Sequence, residues 1–356
     1  MSKIGMGRKF LIVVDQEGDV WGCGDNSYGQ LGVGDNEPRS TPEKNSKIGN
    51  INMVSCWSHT LFLDIQGDVW SCGLNQSGQL GTNTDNPNEP EKIQNLPKIK
   101  TIAAGSRHSL LVDIQGNVWV CGYTQSSKVQ FKFIEPQALP NLNNIVAAEA
   151  GEYHSIFLDA SGLAYCYGSN LNFALGLYRT NLVVFPPRRT METHIISQIS
   201  TGLHHSLFLD QYGSVHGSGS NIWSRLESRS YVPFYVIEKN PPILSVSAKG
   251  YQCLLLDSEG VVWIYGDGST KFSEQQMATQ LNIPVAIAEV YAGYNNSVFL
   301  DTEGNMWGFG TNQAGELGTG NTASIPAPER LFRWPTPACR RKRPTKSARF
   351  TCDTKL

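Results

Sequence analysis

Short apolar runs alternate with polar, glycine-containing turns along most of this 356-residue chain. The stretch LLVDIQGNVWV at 110–120 is typical, because an apolar run is followed by a short turn and then by a second apolar run. Short runs rich in Val, Leu, Ile and aromatic residues indicate β-strands, and two runs joined by such a turn predict an antiparallel hairpin. The pattern therefore predicts an all-β protein.

The hairpin unit recurs seven times, with its aspartates 49, 49, 46, 51, 47 and 44 residues apart. The Asp, a Gly three residues later and a Gly nine residues later are the same in every copy. Asp at the first turn position accepts hydrogen bonds from turn amides, and the first Gly takes the positive φ that follows a type I turn. We therefore predict structural roles for Asp15, Gly18, Asp64, Gly67, Asp113, Gly116, Asp159, Gly162, Asp210, Gly213, Asp257, Gly260, Asp301 and Gly304.

A second motif follows the hairpin in four copies, for example NSYGQLG at 26–32 and NQAGELG at 312–318. A proline-containing stretch and another apolar run come next, which makes about four short strands per copy. A sheet of about 48 residues cannot bury both of its faces alone, so the copies are expected to pack on one another. Seven such sheets arranged radially form a seven-bladed β-propeller, in which most strand edges are protected.

The two ends of the chain indicate how the ring closes. The last copy reaches APERLF at 327–332 and lacks the next apolar run, whereas the chain begins with such a run at 2–15. We therefore predict that the N- and C-terminal strands share one blade, and an open solenoid is the alternative. The propeller is expected to span residues 1–334, followed by a basic, flexible tail at 335–356.

Composition and charge limit the partners. The 35 Gly, 18 Pro and 8 Trp fit a turn-rich β-protein with aromatic cores. The net charge is −2, and since residues 335–356 carry seven Lys or Arg against one Asp, the remaining chain carries −8. An acidic propeller disfavours nucleic acid, so such contact is expected only through the tail. No apolar run reaches the length of a membrane span, and cysteines without CxxC pairs favour a reducing compartment, cytoplasmic or nuclear.

The sequences GSRHSLLVDIQGNVWVCG at 105–122 and NQSGQLG at 75–81 resemble the repeat of the regulator of chromosome condensation family. The resemblance covers residues 3–332 in seven copies and implies a seven-bladed β-propeller. It also implies the roles for which this fold is used in the family. These are guanine-nucleotide exchange on GTPases of the Ran type, substrate binding in HECT-domain ubiquitin ligases, and scaffolding.

The histidines and aspartates form no catalytic or metal-binding pattern. Four histidines stand five residues before the repeat Asp, where other copies have Phe, Gln or Asn, so we interpret them as structural: His59, His108, His154 and His205. His194, His204 and His216 show no ligand spacing. Nucleophile elbows, phosphate-binding loops and the HExxH motif are absent. We predict no catalytic residue, cofactor or metal, and no enzyme that makes or breaks covalent bonds.

Three copies replace the GQLG element with other sequences, at 124–133, 221–234 and 267–276. The replacement at 221–234 is rich in Trp, Tyr and Arg, the side chains that dominate the energetics of protein interfaces. It is interpreted either as a partner-binding rim or as drift in a tolerant loop. The candidate residues are Trp223, Arg225, Arg229, Tyr231 and Phe234.

The tail contains a basic run, Arg340, Arg341, Lys342 and Arg343. Such runs indicate a nuclear-import signal or a flexible arm for nucleic acid or acidic partners. A solvated terminus without a further role is the alternative.

Together these features predict a monomeric, non-catalytic propeller that binds another protein. The most specific role is regulation of guanine-nucleotide exchange on a small GTPase. The even repeat spacing leaves little room for the projecting hairpin of the resembling exchange factor, so a scaffold or substrate-recognition propeller in ubiquitination or trafficking is a second interpretation. A chromatin-binding propeller is the third, and the acidic body disfavours it.

Overall fold

The computed structural model describes residues 2–125, 130–170, 173–177, 182–219, 235–237, 241–265 and 279–335. Within these ranges, 28 strands form seven four-stranded antiparallel sheets. The sheets are the blades of a ring, so the predicted all-β, seven-bladed propeller is confirmed. The described part of the chain contains no helix long and apolar enough to cross a membrane.

Each blade consists of four strands that follow one another in the chain, and the first of them is the innermost. Blades one to three contain β1 (Ile4–Met6), β2 (Phe10–Val14), β3 (Val20–Gly24) and β4 (Arg39–Lys44); β5 (Ile51–Cys56), β6 (His59–Asp64), β7 (Val69–Gly73) and β8 (Glu91–Lys92); and β9 (Ile99–Ala104), β10 (His108–Asp113), β11 (Val118–Gln125) and β12 (Gln130–Ala138).

Blades four to seven repeat the same arrangement. They contain β13 (Ile145–Ala150), β14 (His154–Asp159), β15 (Ala164–Ser169) and β16 (Val183–Arg189); β17 (Ile196–Thr201), β18 (His205–Asp210), β19 (Val215–Gly219) and β20 (Tyr235–Ile237); β21 (Ile243–Lys249), β22 (Gln252–Asp257), β23 (Val262–Tyr265) and β24 (Thr279–Gln280); and β25 (Ile287–Ala292), β26 (Asn296–Asp301), β27 (Met306–Gly310) and β28 (Ile325–Arg330).

Hydrophobic clusters fill the spaces between neighbouring blades. One cluster contains Phe10 and Val14 of the first blade together with Val54 and Phe62 of the second. The second strand of a blade lies between two such clusters, which explains why all six residues of β6 are buried. Burying one large apolar side chain contributes about 1.5–3 kcal/mol. Hydrophobic packing between neighbouring blades therefore stabilises the propeller.

The prediction that the two terminal strands share one blade is wrong. β1 pairs with β2, with Ile4 opposite Val13 and Met6 opposite Leu11, and so belongs to the first blade. The last blade is complete without it, from β25 to β28. The reason is the phase of the repeat. Every blade starts at the apolar run before its hairpin and ends at the proline-containing stretch, so the first and the last blade each have four strands of their own.

Packing between the first and last blades closes the ring instead. Met6 shares a hydrophobic cluster with Leu300 of the seventh blade. The Cys23 thiol lies 3.4 Å from the carbonyl oxygen of Glu316, to which it donates a weak hydrogen bond. Equivalent bonds join Cys72 to Gln30 and Cys121 to Gln79 at internal boundaries between blades. The seam between the two ends thus uses the same contacts as the other boundaries.

Candidate functional site

The constant aspartate of each repeat organises its hairpin turn. Asp15 Oδ1 accepts hydrogen bonds from the amides of Glu17 and Asp19, at 3.1 and 2.9 Å, and Oδ2 accepts one from Trp21 Nε1 at 2.8 Å. The bond to Oδ2 recurs at 2.9–3.2 Å in the other blades, from Trp70, Trp119, Tyr165, His216, Trp263 and Trp307. Each carboxylate is used by its own turn, and the seven lie in different blades.

Hydrogen bonds lower the pKa of four of these aspartates despite their burial: Asp113, Asp159, Asp210 and Asp301. Burial alone would raise the pKa of Asp113, but bonds from Asn117 and Trp119 outweigh it, so the pKa is lowered. The pKa of Asp210 is also lowered, because the bond from His216 and the turn amides overcome burial. A carboxylate held in this way accepts hydrogen bonds and is a poor general acid.

The first constant glycine has the backbone conformation that the turn requires. Its φ lies between 82 and 89° in all seven copies. L-residues with a side chain adopt this region rarely, so the turn favours glycine. The geometry supports a structural role for both turn residues.

The four repeat histidines connect neighbouring blades. His59 Nε2 lies 2.8 Å from Ser109 Oγ of the next blade, and that hydroxyl donates to the Gln79 carbonyl at 2.6 Å. Since the hydroxyl hydrogen is already used, we assign the Nε2–H tautomer to His59, which donates to Ser109. Equivalent contacts join His108 to Ser155 Oγ, His154 to Ser206 Oγ and His205 to Cys253 Sγ, at 2.9, 3.1 and 3.2 Å.

Burial keeps these imidazoles neutral near pH 7. Removal from water lowers the pKa of His59, His154 and His205 to about 3, and that of His108 to about 4. The charged form is disfavoured because a buried cation loses its hydration. Each neutral imidazole contacts the next blade and so helps to hold the propeller together. The four imidazoles lie at different blade boundaries and share no reaction centre.

The first strands of the blades enclose an axial channel, which contains a cavity of about 940 Å³. Serine hydroxyls in its wall accept hydrogen bonds at 2.9 Å from backbone amides of the neighbouring blade: Ser55 from Ala104, Ser200 from Ala248 and Ser247 from Ala292. These hydrogen bonds join neighbouring blades along the channel wall.

One end of the channel is closed by side chains from opposite sides of the ring. Lys249 Nζ of the sixth blade donates to the Cys56 carbonyl of the second and lies 4.6 Å from the centre of the Trp57 ring. Trp57 is buried and packs with Leu203 of the fifth blade. Enclosure in the channel lowers the pKa of Lys249 to about 8 and raises that of Glu149 to about 7, although solvent reaches part of both side chains. The ammonium is therefore charged at neutral pH.

Seven turns surround this closed end, because each first strand ends here and is followed at once by a turn to the second strand. We call this surface the turn face. It consists of Arg8 and Lys9, Trp57 and Ser58, Ser106 and Arg107, Glu152 and Tyr153, Leu203 and His204, Gly250 and Tyr251, and Tyr294 and Asn295. Backbone hydrogen bonds tie neighbouring turns together, for example from the Arg8 amide to the Trp57 carbonyl at 2.8 Å.

Aromatic and charged side chains form a continuous arc on the turn face, from the third blade to the first. The Arg107 guanidinium lies 5.6 Å from the centre of the Tyr153 ring, and His204 Nδ1 lies 3.2 Å from a carboxylate oxygen of Glu152. The rings of His204 and Tyr251 have centres 6.3 Å apart, and those of Tyr251 and Tyr294 are 6.2 Å apart. The Arg8 guanidinium lies 5.3 Å from the centre of the Tyr294 ring. Arg8, Arg107 and Tyr251 are exposed. Each contact crosses a boundary between blades, so the arc depends on the closed ring.

The partner-binding residues predicted from the sequence lie outside the described residues. This holds for Trp223, Arg225, Arg229, Tyr231 and Phe234, and for Arg340, Arg341, Lys342 and Arg343 of the tail. The sequence analysis did not predict the turn face, although the chain carries a signal for it. In the GxxH spacing before each repeat Asp, the two variable positions carry Arg, Tyr, Trp or His in every blade.

The structure also brings together two histidines that the sequence spacing leaves apart. The rings of His194 and His216 have centres 4.4 Å apart, and both contact the carboxylate of Glu192. Glu192 and His216 are buried, while His194 is exposed. These three residues belong to the outer part of blades four and five.

Two sequence profiles of the Regulator of chromosome condensation (RCC1) repeat match the chain. One matches residues 17–63 and 66–112, and the other matches residues 1–30, 99–126, 145–174 and 287–316. Together they cover about half of the chain and fall on blades one to four and seven.

Curated relatives match only over part of their length. The human protein called probable E3 ubiquitin-protein ligase HERC6 is 29% identical over 148 residues, which are 37% of this chain and 14% of that protein. Human HERC3, of the same description, is 27% identical over 183 residues, 47% of this chain and 17% of that protein. The chain thus spans about a sixth of the length of these relatives.

Two solved structures superimpose on most of the chain. Yeast RCC1 (Prp20), in a complex with Kap60, superimposes with a TM-score of 0.77 at 22% identity over 93% of this chain and 88% of that chain. Human WBSCR16 superimposes with a TM-score of 0.77 at 20% identity, over 88% of this chain and 94% of that chain. At this identity the likeness shows the fold alone.

Proposed function

Because the chain belongs to the Regulator of chromosome condensation (RCC1) repeat family, we propose that it is a non-catalytic propeller that binds a partner protein through its turn face. The single observation that supports this site best is the continuous arc of Arg, Tyr and His side chains from the third blade to the first. Tyr, Trp and Arg contribute most of the binding energy at protein interfaces. Turns held on a rigid ring also lose little conformational freedom on binding.

The charges of the turn face indicate the chemistry of the partner. Arg8, Lys9 and Arg107 are cationic, and Glu152 is the single carboxylate among the turn residues. The body of the chain is acidic overall, so this basic surface contrasts with its surroundings. A partner that presents acidic side chains beside an apolar patch fits such a surface, and complementary charge speeds association.

The most specific form of the proposal is regulation of guanine-nucleotide exchange on a small GTPase. The yeast relative is described as binding Gsp1p and histones, and a similar mode of action here would use binding energy alone. A propeller that binds the nucleotide-free GTPase more tightly than the nucleotide-bound form shifts the GTPase towards release of GDP. Such an action needs no acid or base, which agrees with aspartates and histidines that are occupied within the fold.

A second candidate is a scaffold or substrate-recognition propeller that binds without exchanging nucleotide. The partial relatives HERC6 and HERC3, described as probable E3 ubiquitin-protein ligases, favour it. The regular turns on the described blades also favour it, because they offer a broad platform. We place the protein in the nucleus or the cytoplasm, with the basic run of the tail as the proposed import signal.

The test measures release of fluorescent GDP from a panel of purified small GTPases, together with their binding to the chain. We expect at least one GTPase to bind, with faster GDP release under the exchange proposal and unchanged release under the scaffold proposal. Replacing Arg8 and Tyr251 by Ala should weaken binding by about tenfold or more, equivalent to about 1.4 kcal/mol.

Tyr212 provides the matched control. It is 74% exposed in a hairpin turn on the opposite face, so Tyr212→Ala removes the same side chain elsewhere and should leave binding unchanged. Equal binding by the double variant and the native chain would contradict the assignment of the turn face. Failure of every GTPase to bind would contradict the exchange proposal.

A further inference from the structure

Glu192, His194 and His216 converge in a small cluster outside the turn face. His194 Nδ1 lies 2.6 Å from Glu192 Oε1, and His216 Nδ1 lies 3.3 Å from Glu192 Oε2. Potential ligand atoms of the three residues all lie within 4.8 Å of one another. Across the described ranges, no other three His, Cys, Asp or Glu residues converge in this way.

His216 occupies a position that the repeat reserves for an aromatic residue. The other six copies have Trp or Tyr here, and each donates one hydrogen bond to its repeat aspartate. His216 keeps that bond, from Nε2 to Asp210 Oδ2 at 3.1 Å. Its second nitrogen, which a Trp or Tyr side chain lacks, points at Glu192. The substitution therefore preserves the fold of the turn and adds one ligand atom.

Nδ1 of His216 and the Glu192 carboxylate face each other at 3.3 Å as two potential ligand atoms. Since Asp210 only accepts, Nε2 of His216 carries a hydrogen, and the neutral ring then presents the lone pair of Nδ1 to the Glu192 carboxylate. Two acceptors at 3.3 Å repel each other unless a proton or a metal cation lies between them. Glu192 and His216 are 6% and 3% exposed, so water screens this repulsion poorly.

The surroundings match those of a zinc site. A histidine that binds zinc donates its other N–H to a carboxylate, which fixes the ring and increases its basicity, and Asp210 occupies that place. The amides of Thr193 and His194 donate to Glu192 Oε1 at 2.8 and 2.9 Å, which orients the carboxylate. Ligands at about 2.0–2.2 Å from a tetrahedral Zn²⁺ are about 3.3 Å apart, within the range of the observed separations.

We propose that Glu192, His194 and His216 bind one Zn²⁺ ion, with Asp210 orienting His216. The fourth position faces outward, because His194 is exposed, and is open to water or to a ligand atom from a partner. The ion fastens the connection between β16 and β17 to β19, and so links blade four to blade five. This site is independent of the proposed protein-binding function.

The test is zinc binding by the purified, tag-free full chain after treatment with a chelator. Equilibrium competition with a fluorescent zinc indicator measures affinity, and thermal unfolding measures stabilisation. We expect one equivalent of Zn²⁺ to raise the melting temperature. We expect His216→Trp to weaken binding by at least about 100-fold, because losing a ligand costs at least as much as losing a hydrogen-bond partner of a ligand. His216→Trp restores the aromatic residue of the repeat together with its bond to Asp210, so it should fold.

Two further variants make the result specific. His194→Ala removes an exposed ligand and should also weaken binding, whereas His204→Ala should not. His204 is the control because it pairs with Glu152 at 3.2 Å without a third ligand. Equal zinc affinity of the native chain and His216→Trp would overturn the proposal, since the metal would then be held elsewhere, for example by cysteines. Failure of the native chain to bind one equivalent would overturn it as well.

Discussion

The buried histidines should make the propeller sensitive to mild acid. His59, His108, His154 and His205 have pKa values of about 3 to 4 in the folded protein, against about 6.5 in an unfolded chain. Between these values the unfolded state binds more protons, so the free energy of unfolding falls as the pH is lowered. The full stability contribution is present above about pH 6.5 and is lost progressively below it.

The size of the effect follows from the difference in pKa. Each pH unit below 6.5 removes about 1.4 kcal/mol per histidine until the folded pKa is reached. At pH 5 this amounts to about 2 kcal/mol for each ring and roughly 8 kcal/mol for four. Glu149 acts in the opposite direction, because a raised pKa of about 7 stabilises the folded state as its carboxyl group takes up a proton. At pH 5, protonation of Glu149 offsets about 3 kcal/mol of the stability that the histidines lose.

One variant isolates the contribution of a single ring. Gln252 fills the histidine position in the sixth blade, where its amide donates to the Gly293 carbonyl at 2.9 Å, so His108→Gln places a tolerated, non-titrating side chain in blade three. Urea unfolding followed by tryptophan fluorescence at pH 7.5 and pH 5 gives the loss on acidification. We expect this loss to be about 2 kcal/mol smaller in His108→Gln than in the native chain.

Ser155→Ala separates titration from lost packing. It removes the hydroxyl that His108 contacts at 2.9 Å but leaves the ring, so it should lower stability by about 1 kcal/mol at both pH values. An identical loss on acidification in His108→Gln and the native chain would show that the His108 ring is not the group that takes up the proton.

Two further predictions concern the turn and the seam. Gly18→Ala should lower the free energy of unfolding by more than about 1 kcal/mol, because φ at this position is 85° and the new Cβ would lie 3.2 Å from the Cα of Asn50. Gly49→Ala is the control, because nothing lies within 4 Å of the new Cβ, and it should change the free energy of unfolding by less than about 0.5 kcal/mol. Urea midpoints compare them, and equal effects would contradict the turn argument. Leu317→Ala at the seam and Leu80→Ala at an internal boundary should each cost about 2–5 kcal/mol, because both side chains are 0% exposed. A much smaller loss for Leu317→Ala would indicate a ring that is not closed by packing.

The repeated hairpin explains why the fold could be predicted from the sequence. Asp15 and Gly18 specify a turn by local chemistry, and seven copies of that local signal are enough to count the blades. The way the ring closes could not be read in the same manner. In a cyclic repeat, the same sequence pattern results whichever of the four strands begins a blade. The pairing of β1 with β2 shows that each blade begins with the apolar run before its hairpin.

Contacts between repeats explain what the sequence did not predict. Arg8 and Tyr294 meet across the seam although almost the whole chain separates them, and no local spacing relates them. Glu192 and His216 likewise lie in neighbouring blades, with two strands between them in the chain. The departure of His216 from the aromatic pattern was visible in the sequence, but its partner became apparent only from the packing of blades four and five.

Hydrogen–deuterium exchange of the chain with and without a bound GTPase locates the binding surface. We expect slower exchange at the turn face, in segments 7–10, 57–59, 105–108, 151–154, 202–205, 250–252 and 293–296, with no change in the hairpin turns of the opposite face. Slower exchange confined to those opposite turns, at 15–19, 64–68 and 210–214, would contradict binding at the turn face.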